Sequence, residues 1–364
     1  MDLAGALRRI HLDGLLLLGL VVISLLGLGI LYSAGGQTPE LVLRQAVRLG
    51  VGFAALLVLA QVPPQTWRRW TPWLYLAGVG LLLAVFYFGR SGGGAQRWLD
   101  LGVVNVQPSE LMKLVLPMMI AWYLSEATLP PRPTRLLMAV ALIVTPALLI
   151  ARQPDLGTAV LVAGAGFFVL FLAGLSWQIL AVLGIAAGGL APVAWYFMHA
   201  YQRQRVLTFL NPESDPLGAG YHIIQSKIAI GSGGLYGKGW LNGTQSQLDF
   251  LPERSTDFVF AVFGEEFGLL GTLTLLALYT FVAGRGLYIA VQAQDTYTRL
   301  VAGGLSLTFF VYVFVNTGMV TGLLPVVGVP LPLVSYGGTS MVTLMAGFGI
   351  LMSIHTHRRL LSSG

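Results

Sequence analysis

The chain has no cysteine and little charge: Asp, Glu, Lys and Arg together make up 10% of its 364 residues. The missing thiols exclude disulfides, thiolate nucleophiles and thiolate metal ligands. The missing charge excludes more. A soluble domain carries roughly 25% charged residues, so this chain cannot cover a water-facing surface. What it has instead is apolar: 55% of residues are hydrophobic and the mean hydropathy is +0.76. The class that fits is an all-α integral membrane protein. The net charge of +6 is then first a loop bias, not a nucleic-acid patch.

Ten apolar runs follow one another, near 14–31, 46–62, 71–89, 109–125, 136–151, 157–174, 177–198, 258–284, 300–322 and 338–354. Lipid offers the backbone no hydrogen-bond partner, so each is expected to be helical. The first follows Arg8 and Arg9 and is longer than the apolar core of a signal peptide, so it is expected to stay as a membrane helix. An even number of spans puts both termini on one side. Arg358 and Arg359 near the C-terminus match Arg8 and Arg9, and Arg68, Arg69, Arg132, Arg135, Arg285 and Arg299 fall in loops on that same side. Short cytoplasmic loops are enriched in such residues. The expectation is one polytopic domain over 1–364, with ten transmembrane helices and cytoplasmic termini. A large extracytoplasmic loop, 199–257, lies between the seventh and eighth helices. A second outer segment covers 89–110. Inside the large loop, Tyr221, Ile224 and Ile228 recur at helical spacing and predict a short amphipathic helix.

Ionisable residues at membrane depth are costly and mark candidate sites. Glu110 and Lys113 are three apart at the head of the fourth run, and Arg152 and Asp155 are three apart between the fifth and sixth. That spacing lets each couple pair on one helical face. Such couples are also explained as self-satisfied pairs or helix caps. The stretch "LPERSTDFVFAVFGEEFG", 251–268, crowds Glu253, Arg254, Asp257, Glu265 and Glu266 beside an apolar run. Asp257 stands where it caps a helix or serves a site. Glu265 and Glu266 lie roughly 12 Å deeper along that helix, where they cannot both face lipid. "GSGGLYGKGW", 231–240, looks like a phosphate loop but lacks its first glycine, at Ser232, and its hydroxyl, at Gly239. Its backbone and Lys238 still offer weak anion-binding groups. "NTGMVTGLLPVVGVPLPLVSYGGTS", 316–340, is irregular and nearly uncharged, with Asn316, Ser335, Tyr336, Thr339 and Ser340 as hydrogen-bonding groups. Backbone of this kind at membrane depth lines a cavity or is buried in protein.

Taken in order, "AQRWLDLG", "QPSELMKL", "RQPDLGTA", "QSKIAIGSGGLYGKGW", "LPERSTDFVFAVFGEEFG" and the 316–340 stretch resemble the SEDS family of bacterial cell-wall polymerases, the RodA/FtsW group. The resemblance covers nearly the whole chain. The compact chain with short tails is closer to the elongation branch than to the division branch. The resemblance implies a peptidoglycan glycosyltransferase of the cytoplasmic (inner) membrane that polymerises lipid II on its outer face. It also implies a class B penicillin-binding protein as partner. Within it Asp257 is the expected catalytic residue, and Glu110 and Lys113 are cavity residues.

The chemistry leads the same way. A sugar hydroxyl displaces a lipid pyrophosphate from an α-linked donor to give a β product, so a single displacement inverts. The hydroxyl needs a base, for which a carboxylate is suited. The pyrophosphate needs positive charge or a metal. Candidates for the positive charge are Lys113, Arg152, Lys227, Lys238 and Arg254, with Asp155, Glu253, Glu265, Glu266 and Ser335 completing the expected cavity. No metal ligands are identified, although the chemistry admits a divalent cation, Mg or Mn. A ten-span protein with a polar cavity also describes a lipid II flippase, and a scaffold for the penicillin-binding protein is a third reading. Acids gathered on one side and the large outer loop favour chemistry outside.

Overall fold

The structure, a computed structural model, describes residues 10–92, 95–100, 102, 105–126, 128–198, 200–211, 213, 219–248, 250–251 and 253–357. Arg8, Arg9, Arg358 and Arg359, used above for orientation, lie outside the described residues. In chain order come α1 (Gly14–Ala34), α2 (Pro39–Ala60) and α3 (Pro64–Phe88). Three short strands follow, β1 (Arg90–Gly92), β2 (Ala95–Asp100) and β3 (Asn105–Val106). Then come α4 (Pro108–Ser125), α5 (Pro133–Arg152), α6 (Leu156–Leu172), α7 (Trp177–Phe197), α8 (Ala200–Leu210), α9 (Ala219–Ser232) and α10 (Thr244–Gln247). The last three are α11 (Val259–Val291), α12 (Thr296–Val320) and α13 (Thr339–Thr356). The strands form an antiparallel sheet in the order β1-β2-β3.

The helices start where local chemistry favours it. Proline opens α2, α3, α4 and α5, a position with no intrahelical partner for an N–H. Asp13, Asp155 and Asp295 cap α1, α6 and α12 through their side chains, satisfying N–H groups that a buried helix end would leave open.

Among the described residues seven helices, α1, α2, α3, α5, α11, α12 and α13, are long and apolar enough to cross a membrane. Their outward faces carry large exposed apolar side chains such as Trp73, Leu137 and Phe314, which lipid covers and water would not. The protein is a multi-pass membrane protein. Helices α4, α6 and α7 coincide with the three remaining apolar runs. Helix α4 is less apolar for a physical reason. It is enclosed by α3, α5, α6, α12 and α13, and nearly every residue from Pro108 to Leu124 is buried. A helix that meets protein rather than lipid can carry Glu110 and Lys113 if they are paired. Neighbours come close at Gly78, Gly166, Gly303 and Gly304, where a Cβ would lie within 2.6 Å of a side chain on an adjacent helix.

The 199–257 segment is largely helical where it is described. Its α9 confirms a short helix but corrects the face. Ile223, Ser226 and Ala229 are the buried stripe, and Ile228 is 45% exposed. The small side chains at Ser226 and Ala229 let α9 lie close against α11 and α12, whereas the larger Ile228 fits no such gap. Ser226 donates to the Val320 carbonyl at 2.7 Å.

Candidate active site

A series of turns from Glu253 to Phe258 leads into α11. Glu253 has φ +52°, and its carbonyl accepts from the N–H groups of Thr256 and Phe258. Its carboxylate accepts from Thr256 Oγ1 at 2.7 Å. Arg254 donates to the Ser246 carbonyl. The N-cap of α11 is Phe258, with no side-chain capping bond, so Asp257 stands one residue ahead of the cap position.

The turn is joined to the connection between α12 and α13, residues 321–338. The Ser255 carbonyl accepts from Tyr336 N at 2.8 Å. The Thr256 carbonyl accepts from Ser335 Oγ at 2.5 Å. The Asp257 carbonyl accepts from Asn316 Nδ2 at 2.9 Å. Ser335 Oγ also accepts from Leu331 N at 2.8 Å. The Asp257 carboxylate faces Gly328: a Cβ there would lie 3.4 Å from Oδ2, and the glycine has φ +80°. Glycine is the residue that reaches this conformation without strain.

The same connection touches most of the bundle. Gln45 Nε2 donates to the Ser335 carbonyl at 3.0 Å, and Tyr279 Oη donates to the Pro332 carbonyl at 2.6 Å. Gly27 on α1 lies against the Leu333 carbonyl, and Gly157 on α6 against Val327. Backbone that is not helical is thus buried in protein, as membrane depth requires.

Below this connection a cleft runs between α4, α12 and α13. Glu110, Lys113 and Tyr312 form its polar end, Ser335 and Ser340 lie along it, and Phe309, Phe348 and Leu351 make its apolar walls. Lys113 Nζ donates to Glu110 Oε1 at 2.6 Å and lies 4.8 Å from the Tyr312 ring centroid. Each of the two charges is 8% exposed, so each needs the other. Val329 shares a small apolar cluster with Tyr312 and Leu161, and its carbonyl accepts from Asn316. This contact links the Asp257 turn to the Glu110–Lys113 pair.

Other expected site residues lie elsewhere. Asp155 pairs with Arg97 of β2, Nε to Oδ2 at 3.4 Å, and not with Arg152, which is exposed at the end of α5. The helical spacing does not apply because α5 ends between them, at Gln153 and Pro154. Glu265 and Glu266 do not reach towards Glu110, Lys113 and Asp155. Glu265 accepts from Lys238 Nζ at 2.7 Å, Thr244 Oγ1 at 3.0 Å and Gln245 N at 3.0 Å. Glu266 accepts from Ser33 Oγ. Both hold the 238–247 segment and α1 in place. Lys238 is therefore engaged within the fold. Lys227 is exposed and lies over Gly322.

The structure also brings in residues not singled out above. The Arg48 guanidinium lies 4.3 Å from the Tyr336 ring centroid, beside Gly338. Among the described residues no carboxylate is within ion-pair distance of it. The sequence held that signal, an arginine within the second apolar run. Arg97 and Gln45 carried no comparable one. Among the described residues no group of three His, Cys, Asp or Glu side chains is placed to hold a metal ion.

Comparison with known proteins agrees with this architecture. A family model described as cell cycle protein, FtsW/RodA/SpoVE, matches residues 6–360. The peptidoglycan glycosyltransferase MrdB of Escherichia coli K12 is 56% identical over 355 residues, covering 97% of this chain and 96% of its own. A solved structure described as showing coordination of polymerization and crosslinking by a peptidoglycan synthase complex superposes with a TM-score of 0.84. It is 36% identical and covers 96% of this chain and 98% of that one. The rod shape determining protein RodA of Thermus thermophilus gives a TM-score of 0.73 at 31% identity, with 95% and 97% covered. The chain belongs to the FtsW/RodA/SpoVE family.

Proposed function

We propose that the protein is a peptidoglycan glycosyltransferase that polymerises lipid II on the outer face of the bacterial cytoplasmic membrane, with a class B penicillin-binding protein as its transpeptidase partner. The relatives named for that activity support it. The observation that carries the assignment to a site is the Asp257 turn, fixed by its carbonyls beside a cleft with a buried ion pair. In this reading all ten long helices cross the membrane and both termini are cytoplasmic. The chain works as one polytopic domain whose 199–257 segment lies outside, so Asp257 stands at the outer end of α11.

Asp257 acts as the general base. It takes the proton from the acceptor sugar's 4-hydroxyl as that oxygen bonds to the donor's anomeric carbon. The bond from that carbon to the pyrophosphate oxygen breaks, and the lipid pyrophosphate leaves. A positioned carboxylate contributes roughly 10²–10⁴-fold to such a step. The leaving charge is met by Arg48 and Lys113, with Arg152 and Lys227 exposed for headgroup contacts. Lys238 and Arg254 act indirectly, by fixing the outer segment. A divalent cation, if used, would take Asp257 as its protein ligand and fill its shell from phosphate oxygens and water, as Mg²⁺ commonly does. It would supply Lewis-acid stabilisation of the leaving group. The apolar walls of the cleft suit an isoprenoid chain.

The test uses purified protein with its penicillin-binding partner and lipid II, with glycan read on gels. Wild type is expected to form polymer. Asp257→Ala, at equal folded amounts, is expected to lose polymerisation by at least 10²-fold. Lipid II crossing a liposome bilayer, with no polymer under any condition, would replace this reading with a flippase.

A further inference from the structure

Asn316, in the last turns of α12, is fully buried at 0% exposure. Its Nδ2 donates twice, to the Asp257 carbonyl at 2.9 Å and to the Val329 carbonyl at 2.7 Å. Both partners are carbonyl oxygens and can only accept, so the orientation of the amide is fixed. Its Oδ1 makes no hydrogen bond among the described residues.

The two carbonyls belong to the two sides of one gap. Asp257 carries the carboxylate. Val329 follows Gly328, which the carboxylate faces: a Cβ added at Gly328 would lie 3.4 Å from Asp257 Oδ2. A single side chain therefore sets both the residue that bears the base and the surface opposite it. Aspartate has no hydrogen to donate when ionised, leucine has none at all, and serine has one. Among side chains of this size, asparagine is the one that reaches two acceptors from one nitrogen.

We propose that Asn316 is a positioning residue for the glycosyl transfer, acting through Asp257 to hold its carboxylate at a fixed distance from the 328–329 backbone. The proposal rests on the reading of Asp257 as the base. Misplacing a reacting group by about 1 Å costs roughly 10²-fold in rate. Loss of this clamp therefore acts on kcat, while the lipid-binding surfaces that set KM stay in place.

The test measures lipid II polymerisation by the complex with its transpeptidase, comparing wild type, Asp257→Asn, Asn316→Asp and Asn316→Ser, each per folded molecule. Asn316→Asp keeps the shape and loses at least one of the two donations. Asn316→Ser buries no charge and carries the test if the aspartate variant does not fold. The expected result is a fall in kcat of about 10- to 100-fold with KM within about threefold, together with a shifted acidic limb in the pH profile of Asn316→Ser. A lowered melting temperature with wild-type kcat and pH profile would make Asn316 a structural residue only. It would overturn the proposal while leaving the Asp257 reading intact. Wild-type rates in Asp257→Asn would overturn that reading, and the proposal with it.

Discussion

Asp155 meets two partners from different elements, one by a hydrogen bond and one by charge. Its Oδ1 accepts from Thr158 N at 3.2 Å, capping α6, and its Oδ2 faces Arg97. A side chain that does both joins the β2 strand to the head of α6. The Arg97 side chain is 30% exposed, so solvent weakens the pair. Arg97→Ala is expected to cost about 0.5–1.5 kcal/mol, and Arg152→Ala to stay within about 0.5 kcal/mol. Unfolding in detergent, followed by intrinsic fluorescence, measures both; the reverse order would return Asp155 to Arg152. The sequence made Asp155 visible as a charge at membrane depth, but not its partner. Spacing predicts pairs only within one helix, and α5 ends between residues 152 and 155. The Glu110–Lys113 pair was legible because α4 runs unbroken through both. Arg48 was legible by the same depth rule. Its position against Tyr336 was not, because the two residues are brought together only by the fold.

Helix α11 shows what the glycines of 231–240 are for. Gly268 has φ +64° inside the helix, and the break releases carbonyls on one side and N–H groups on the other. The glycine-rich segment fills both sets of bonds. Lys238 N donates to the Glu265 carbonyl and Gly239 N to the Glu266 carbonyl, both at 3.0 Å. Leu269 N and Leu270 N donate to the carbonyls of Gly234 and Leu235 at 2.9 and 3.1 Å. Backbone can approach backbone this closely only without side chains between them. A Cβ on Gly237 would lie 2.1 Å from the Glu266 carbonyl oxygen at φ +80°, whereas Gly234, at φ +56°, and Gly231 have nothing within 4 Å. Alanine substitution is therefore expected to be harmless at 231, to cost about 1 kcal/mol at 234, and to cost about 3 kcal/mol or more at 237. Chemical unfolding of the three variants checks the order; equal costs would remove the close-approach argument. The sequence marked this segment by its glycines and offered a phosphate as the reason. Its partner was hidden because helical periodicity shows where a helix runs, not where it breaks.

Across the whole molecule, the apolar runs made the long helices legible, since length and hydropathy are properties of a segment alone. Which helix sits at the centre was not legible, because enclosure is a property of neighbours. The same holds for the end of the bundle opposite Asp257. There Asp13 caps α1 through Leu16 N at 2.8 Å and accepts from Arg285 at 3.1 and 2.7 Å. It also faces His355 Nε2 at 3.2 Å. Arg285 lies over Tyr288. His11 and His357 stack with centroids 3.8 Å apart and planes 6° apart, while Gln61 donates to the Ile10 carbonyl at 2.7 Å. These contacts tie the start of α1 to the ends of α2, α11 and α13. Burial, and then the charge of His11, lower the pKa of His357, with its bond to Ser353 opposing in part. A lowered histidine favours the neutral ring in the fold. It stabilises fully above the unfolded value of about 6.5, and that contribution is lost as pH falls through the lower folded value. Burial raises the pKa of Asp13, but the bond from Arg285, the Leu16 N–H and nearby positive charge outweigh it and leave it lowered. Its contribution therefore persists down to carboxylate pH and does not change in the histidine range. His355 also faces Asp13, so the His357 share is read from a variant. Wild type is expected to lose melting temperature between pH 7.5 and 5.5, and His357→Phe, which keeps a ring against His11 without a charge, to lose less. Thermal unfolding in detergent at pH 7.5, 6.5 and 5.5 measures the two slopes. Parallel slopes would mean that the stacked rings separate or share water on protonation without cost, and that this end of the bundle is held by Asp13 and Arg285 alone.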